Sequence, residues 1–284
     1  MIQPQIANKE VTLHILKTFG IRLQKKLGQN FLIDSDVVEQ IVEAADIQPG
    51  EQVLEIGPGI GTLTQGLAEA GAAVTSVELD RHLIDILAKT LAGYDNVRVI
   101  HGDFLKLDIS REIPTGRCKI IANLPYYITT PIIMRILEER MPVDLLVTMV
   151  QKEVAERMVA RPGTKEYGAL SVAVQYYTEP EIVFIVPPTA FIPSPAVESA
   201  VIRCVIRKQP PVEVRQEKMF FRVVKAAFSQ RRKTLQNCLK AAGLPAETAS
   251  LVLETAGIDG SRRGETLSLS EFAAVANAWS DMNR

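Results

Sequence analysis

Cysteine is scarce in this chain. Three occur in 284 residues, Cys118, Cys204 and Cys238, far apart from one another. An odd, scattered set supplies neither a disulfide framework nor the paired spacing of a zinc site, so no metal is expected and a reducing compartment is. Long apolar runs are missing too. None approaches the ~18–20 residues that cross a bilayer, so no membrane partner is expected. The N-terminus has no basic stretch followed by an apolar core, which argues against a signal peptide. Charge of one sign is not in excess: 32 Lys and Arg stand against 33 Asp and Glu. Composition alone therefore points to no nucleic-acid partner. Repeats and low-complexity segments are absent. The expectation is a soluble, cytoplasmic chain, and nothing in it demands a dimer, so a monomer is expected.

An apolar content of 47% over this length supports one large domain, or one large and one small. The charge is unevenly spread. Residues 208–284 carry 12 Lys and Arg against 8 Asp and Glu; the rest of the chain carries 20 against 25. The C-terminal part is the basic one. "RKQPPVEV" marks a boundary, giving domains 1–207 and 208–284, with residues 1–50 as an N-terminal lid and helix. Beyond the boundary only helices are expected, over 216–229, 231–241, 246–255 and 270–280. Before it, "QVLEIG", "AVTSVEL", "VRVIHGD", "CKIIANL" and "DLLVTMV" are β-branched apolar runs, most of them followed by a helical stretch. Repeated strand–helix units of this kind predict an α/β domain with a parallel sheet covered on both faces. "EIVFIV" and "SAVIRCVIR" have no helix between them and are read as a closing antiparallel pair. Upstream, "DSDVVEQIVEAADI" is a helix capped by Asp34 or Ser35; "RLQKKLGQNFL" is an irregular basic segment.

"VLEIGPGIGTLT" follows the first of these strands and opens a helix. Gly57, Gly59 and Gly61 allow a tight turn and close approach of backbone to a ligand. The helix N-terminus faces the same ligand. Tight β–α turns also use glycine for steric reasons alone. Glu78 ends the next strand, 21 residues after Gly57, where a carboxylate can accept from both ribose hydroxyls. Asp103 of "GDF" falls on the same rim, within reach of an adenine amino group. Glu55 could bond back to the loop. Two cofactors fit: NAD, and S-adenosyl-L-methionine. The Gly-x-Gly-x-Gly form with a preceding Glu resembles the methyltransferase version.

"IANLPYYITT" closes the fourth strand on that rim, and its "NLPY" resembles the Asn/Asp-x-Pro-Tyr/Phe motif of enzymes that methylate the exocyclic amine of adenine. That amine conjugates its lone pair into the ring and is a poor nucleophile. Two acceptors on its hydrogens, the Asn123 side-chain oxygen and the Leu124 carbonyl, would draw the nitrogen toward a tetrahedral shape. Pro125 fixes the turn that aims the carbonyl. Tyr126 can stack on the extruded base. Tyr127 is read as packing, and "ITT" as the start of the next helix.

"KKLGQNFL", "VLEIGPGIGTLT", "VELD", "GDFLKLD", "NLPYYITT" and "FIPSPAVESAVI" stand in the order and spacing of the ribosomal RNA adenine dimethyltransferases. The resemblance covers nearly the whole chain and is nearest to the bacterial small-subunit branch, linked to kasugamycin sensitivity. It implies a Rossmann-like methyltransferase sheet and a small all-helical C-terminal domain. It implies S-adenosyl-L-methionine as cofactor and, as substrate, two adjacent adenines in the 3′-terminal hairpin loop of 16S rRNA in the immature 30S subunit. Carried onto this chain, Asn30 and Leu32 would contact the cofactor beside Gly57, Gly59, Glu78, Asp103 and Asn123. Phe191 of "FIPSP" would face Tyr126 across the base, held rigid by Pro193 and Pro195.

From Lys218 to Lys240 there are seven basic residues and no acid. Arg231, Arg232 and Lys233 are clustered between two helices, a patch suited to phosphates. Arg22, Lys25 and Lys26 could form a second patch near the site mouth. Three other functions stay open: a 23S rRNA adenine methyltransferase conferring macrolide resistance, a non-catalytic small-subunit assembly factor, and a nicotinamide-dependent dehydrogenase.

Overall fold

The computed structural model describes residues 4–21, 29–112, 116–230 and 232–282. Helix α1 (Lys9–Thr18) begins where the Asn8 side chain accepts from the Glu10 and Val11 amides. Strand β1 (Phe31–Leu32) follows, then α2 (Ser35–Ala45), capped by the Asp34 carboxylate on the Asp36 and Val37 amides. Such caps satisfy donors that the first turn leaves over.

Strand–helix alternation then sets in: β2 (Gln52–Ile56), α3 (Thr62–Glu69), β3 (Ala73–Glu78), α4 (Arg81–Thr90), β4 (Val97–His101), the single turn α5 (Ile109–Glu112), β5 (Cys118–Asn123), α6 (Thr129–Glu138), β6 (Val143–Gln151) and α7 (Lys152–Val159). After α8 (Ala169–Tyr177) come β7 (Thr178–Val186), β8 (Phe191–Ile192) and β9 (Ser199–Ile206). The seven-stranded sheet runs β4-β3-β2-β5-β6-β9-β7. The pairs from β4 to β6 are parallel, and β9 joins β6 antiparallel. This is the expected Rossmann-like sheet with an antiparallel closing strand. Strand order reverses between β2 and β5, which opens a crevice at their C-terminal ends.

Burial explains the arrangement. Val37, Val38, Ile41 and Ala45 of α2 and Leu63 and Leu67 of α3 pack with Val53, Val74, Ile121 and Val147 of the strands. Each fully buried aliphatic side chain contributes ~1.5–3 kcal/mol. A second cluster joins Ile60 to Leu83, Ile86 and Leu87 of α4, and to Ile6, Ile15 and Phe31 from the N-terminal part. The three cysteines are free and buried.

One ladder was not foreseen. β1 pairs antiparallel with β8, Phe31 opposite Ile192 and Leu32 opposite Phe191. The segment read as irregular is, at its end, a two-residue strand.

The chain divides into two compact units. The first runs to Ala155 and resumes over Pro180–Ile206; the second holds Glu156–Glu179 and the chain from Arg207. The second contains α9 (Glu217–Phe228), α10 (Leu235–Ala241), α11 (Ala246–Thr255) and α12 (Leu269–Met282). Residues 156–179, placed with the first domain from sequence, group here with the helices. Their aromatics account for it. Tyr176 stacks on Phe220 at 4.8 Å, Tyr177 on Phe221 at 5.4 Å, and the Tyr177 hydroxyl donates to Glu217 at 2.7 Å. The Tyr167 hydroxyl donates to the Leu267 carbonyl at 2.9 Å. α10 starts at Leu235, not 231, because the Thr234 hydroxyl caps it on the Asn237 amide.

Candidate active site

A cavity of roughly 1100 Å³, counting its open mouth, lies at the C-terminal ends of β2, β3 and β5 and the loop after β4. Asn30, Leu32, Gly57, Gly59, Glu78, Asp103, Asn123, Leu124, Pro125 and Tyr126 all line it. Sequence positions spread over nearly a hundred residues are thus brought to one cavity.

The glycine-rich turn forms its floor. Gly57, Gly59 and Gly61 have φ of +72°, +62° and +96°, a region that side chains with a Cβ rarely adopt. A Cβ on Gly59 would also meet the Phe31 ring at 3.3 Å. Glu55 does not bond back to the loop as expected. Its Oε2 accepts from Thr64 Oγ1 at 2.6 Å and Ser76 Oγ at 2.7 Å, so the carboxyl ties the start of α3 to β3. Glu55 is 1% exposed. Burial pushes its pKa up to about 7, against the pull of the two hydroxyl bonds.

Glu78 has both oxygens engaged by backbone: Oε2 accepts from Gly59 N at 3.2 Å and Oε1 from Asp80 N at 2.7 Å. Burial raises its pKa, and the neighbouring Asp80 charge adds to the effect. The carboxylate and the glycine turn therefore hold each other in register. Asp103 accepts from Leu105 N at 3.0 Å and pairs with Lys106 at 3.2 Å. With Glu55, the described lining has three carboxylates and no Lys or Arg. Such a wall offers hydrogen-bond acceptors to a ligand and no cation to a pyrophosphate; Glu55, its pKa raised to about 7, adds little charge of its own.

The β5 turn supplies the opposite side. Asn123 Nδ2 donates to the Asn30 carbonyl at 3.5 Å, which turns its Oδ1 away from that contact. Leu124 N donates to Met149 O at 3.1 Å. The Pro125 carbonyl accepts from Ile128 N and from Thr129 Oγ1, each at 3.1 Å, closing the turn onto α6. The Tyr126 hydroxyl meets Ser199 Oγ at 2.6 Å. Tyr127, read as packing, is instead 55% exposed and lines the cavity. One residue along a tight turn is enough to swing a side chain from a buried partner to the mouth. Phe191 is 3% exposed, buried in β8 beside Leu32, and is not part of the cavity lining.

Three contributors escaped the sequence reading. Gln29 lines the cavity and donates to Asp80 at 3.1 Å, fastening the segment before β1 to the β3–α4 loop. Leu79 offers an apolar surface, 45% exposed, beside Glu78. Ser199 holds Tyr126. All three stand inside the motifs "KKLGQNFL", "VELD" and "FIPSPAVESAVI"; what the motifs do not tell is the contact across the fold that Gln29 and Ser199 make and the exposure of Leu79.

Arg22, Lys25, Lys26 and Arg231 lie outside the described residues. Arg232 and Lys233 are exposed between α9 and α10. On α9, Lys218, Arg222 and Lys225 are exposed at a spacing that aligns them on one helix face. Among the described residues no group of His, Cys, Asp or Glu converges as a metal site, and no helix is long and apolar enough to cross a membrane.

The family model described as ribosomal RNA adenine dimethylase matches residues 20–279. Ribosomal RNA small subunit methyltransferase A of Alkaliphilus metalliredigens is 53% identical over 277 residues, covering 95% of this chain and 96% of that protein. The protein of that name from Geobacillus kaustophilus is 51% identical over 283 residues, covering 96% of each. Among solved structures, a dimethyladenosine transferase from Plasmodium falciparum aligns with a TM-score of 0.76 at 26% identity, covering 89% of this chain and 98% of that one. The 23S rRNA methyltransferase ErmE aligns at 0.67 and 28%, covering 88% and 100%. With a glycine turn, a strand-end carboxylate and an Asn-Leu-Pro-Tyr turn on one cavity, and a family match over nearly its whole length, the chain belongs to the ribosomal RNA adenine dimethylase family.

Proposed function

We propose that this enzyme transfers methyl groups from S-adenosyl-L-methionine to the N6 amines of two adjacent adenines in the 3′-terminal hairpin loop of 16S rRNA. It does so in the cytoplasm, as a monomer, on 30S subunits still being assembled. Relatives at about half identity over the full chain carry the small-subunit name, which supports this target over a 23S site.

The observation that carries the chemistry is the Asn123 contact. With Nδ2 given to Asn30, the amide's acceptor is what remains for a substrate N–H. Asn123 Oδ1 and the Leu124 carbonyl take the two amine hydrogens and free the lone pair. Tyr126, anchored through Ser199, presents its ring to the extruded base. Phe191, buried beside Leu32 and off the cavity lining, would reach the second face of the base only if β8 shifts locally. S-adenosyl-L-methionine, when bound, supplies an electrophilic methyl on a sulfonium. Glu78 would bind its ribose, Asp103 its adenine amine, and Asn30, Leu32, Gly57 and Gly59 would enclose it. A described lining with acidic groups and no Lys or Arg accommodates its net positive charge and offers the pyrophosphate of NAD no cation. Catalysis here is positioning and electrostatics.

The target adenines must leave their stack, which costs less in a loop than in a duplex. Arg22, Lys25, Lys26, Arg231, Arg232 and Lys233 would bind phosphates of the subunit RNA. Mass spectrometry of adenines after incubation with unmethylated 30S subunits and S-adenosyl-L-methionine tests the proposal. N6,N6-dimethyladenosine in 16S rRNA is expected. Methylation of 23S rRNA alone would overturn the choice of target, and subunit maturation rescued by Asn123→Ala would reveal an assembly role beyond methylation.

A further inference from the structure

Tyr126 and Tyr127 are consecutive, yet their surroundings divide them. Tyr126 is half-buried, its hydroxyl held by Ser199 at 2.6 Å. Tyr127 is 55% exposed, and among the described residues its hydroxyl makes no hydrogen bond. The ring is nonetheless not on a loose loop. The Pro125 carbonyl bonded to Ile128 N and Thr129 Oγ1 fixes the backbone on both sides of it. Among the described residues, two exposed large apolar side chains line the cavity, Leu79 and Tyr127. Leu79 follows Glu78, on the cofactor side. Tyr127 follows Tyr126, on the substrate side, at the mouth.

A free aromatic face at that place has a use that base extrusion creates. When one base leaves a stack for a pocket, its neighbour loses a stacking partner and presents a bare face. A fixed ring at the mouth replaces what was lost, without reading sequence, because every base has a π-face. More than half of Tyr127 is open to water, and its place beside the aromatic proposed for the base puts it on the path of the RNA chain. We propose that Tyr127 is a second stacking platform, receiving the unpaired nucleobase that adjoins the target adenine. This rests on the reading of the cavity as an adenine-N6 site and adds a subsite to it.

The test uses the full-length enzyme and small subunits whose 3′ hairpin is joined from synthetic RNA, carrying either the natural nucleotide or an abasic one beside a target adenine, on each side in turn. Tyr127→Ala is expected to raise KM for the natural subunit roughly five- to hundredfold, the range for one base–aromatic stack. Its affinity for S-adenosyl-L-methionine by calorimetry is expected to match wild type, and Tyr127→Phe is expected to behave as wild type. An abasic nucleotide on one side should cost the wild-type enzyme the same factor and cost Tyr127→Ala nothing more. Losses that simply multiply, or an unchanged KM in Tyr127→Ala, overturn the platform while leaving the adenine-N6 site intact. A wild-type enzyme that methylates no adenine in the natural subunit overturns both.

Discussion

The backbone carbonyl of Asn30 accepts from Nδ2 of Asn123 at 3.5 Å, linking stretches 93 positions apart. The bond couples the segment entering β1 to the turn that would hold the amine. With Nδ2 on this carbonyl, the Oδ1 end of the Asn123 amide is the one left for a substrate N–H. Asn123→Ala should lower kcat by ~10²–10³-fold, the scale for one preorganised polar group at a reacting centre, with a much smaller change in cofactor Kd. Equal losses in both, measured by methyl transfer and calorimetry, would place Asn123 with the cofactor alone.

Glu55 gives the fold a pH dependence. Its native pKa is lifted to about 7 from an ordinary value of 4.5. Between those values the folded chain holds a proton that the unfolded chain has released. Stability from this group is therefore full below 4.5 and is lost as pH rises through 7. Glu55→Gln keeps an acceptor for Thr64 and Ser76 and removes the titration. Its melting temperature relative to wild type should climb across that window, and parallel curves would contradict the assignment.

The Tyr126–Ser199 bond should matter through ring placement. Ser199→Ala and Tyr126→Phe each remove it, at a cost of ~1 kcal/mol, so each should slow turnover several-fold and the double variant no further. Cofactor affinity should stay level in all three. Multiplying effects would show that the two side chains act separately.

Tyr126→Ala and Phe191→Ala should both depress turnover more than cofactor binding. The two differ in stability. Phe191 is buried, and its truncation leaves a cavity, so Phe191→Ala should also destabilise by ~3–5 kcal/mol. Thermal melts of the pair separate these outcomes from catalytic loss.

Charge reversal at Arg231 and Arg232 should weaken binding to 30S subunits, most at low salt, with a shallower salt slope. Binding measured across a salt series that matches wild type would remove this patch from the interface.

The sheet and the cavity floor were legible because their signals are local. β-branched runs, a glycine turn and strand-end acids each announce themselves within a dozen residues. The β1–β8 ladder was not legible. Two residues show no periodicity, and their pairing depends on Phe191 and Leu32 meeting from opposite ends of the domain. Glu55 was placed at the site, but its partners Thr64 and Ser76 lie on two other elements. The affiliation of residues 156–179 turned on aromatic stacking with α9, which no local pattern encodes. Tyr127 was misread because adjacent residues in a turn point apart, and no period tells which of the two faces inward.

The three buried thiols give the molecule gauges of its own breathing. Cys118 on β5 and Cys204 on β9 belong to the first unit, and Cys238 on α10 to the second. Burial pushes the Cys118 thiol up to about 12 and raises that of Cys238, so neither reacts while enclosed. Labelling by a thiol reagent therefore times the opening of each unit separately, in the unaltered chain.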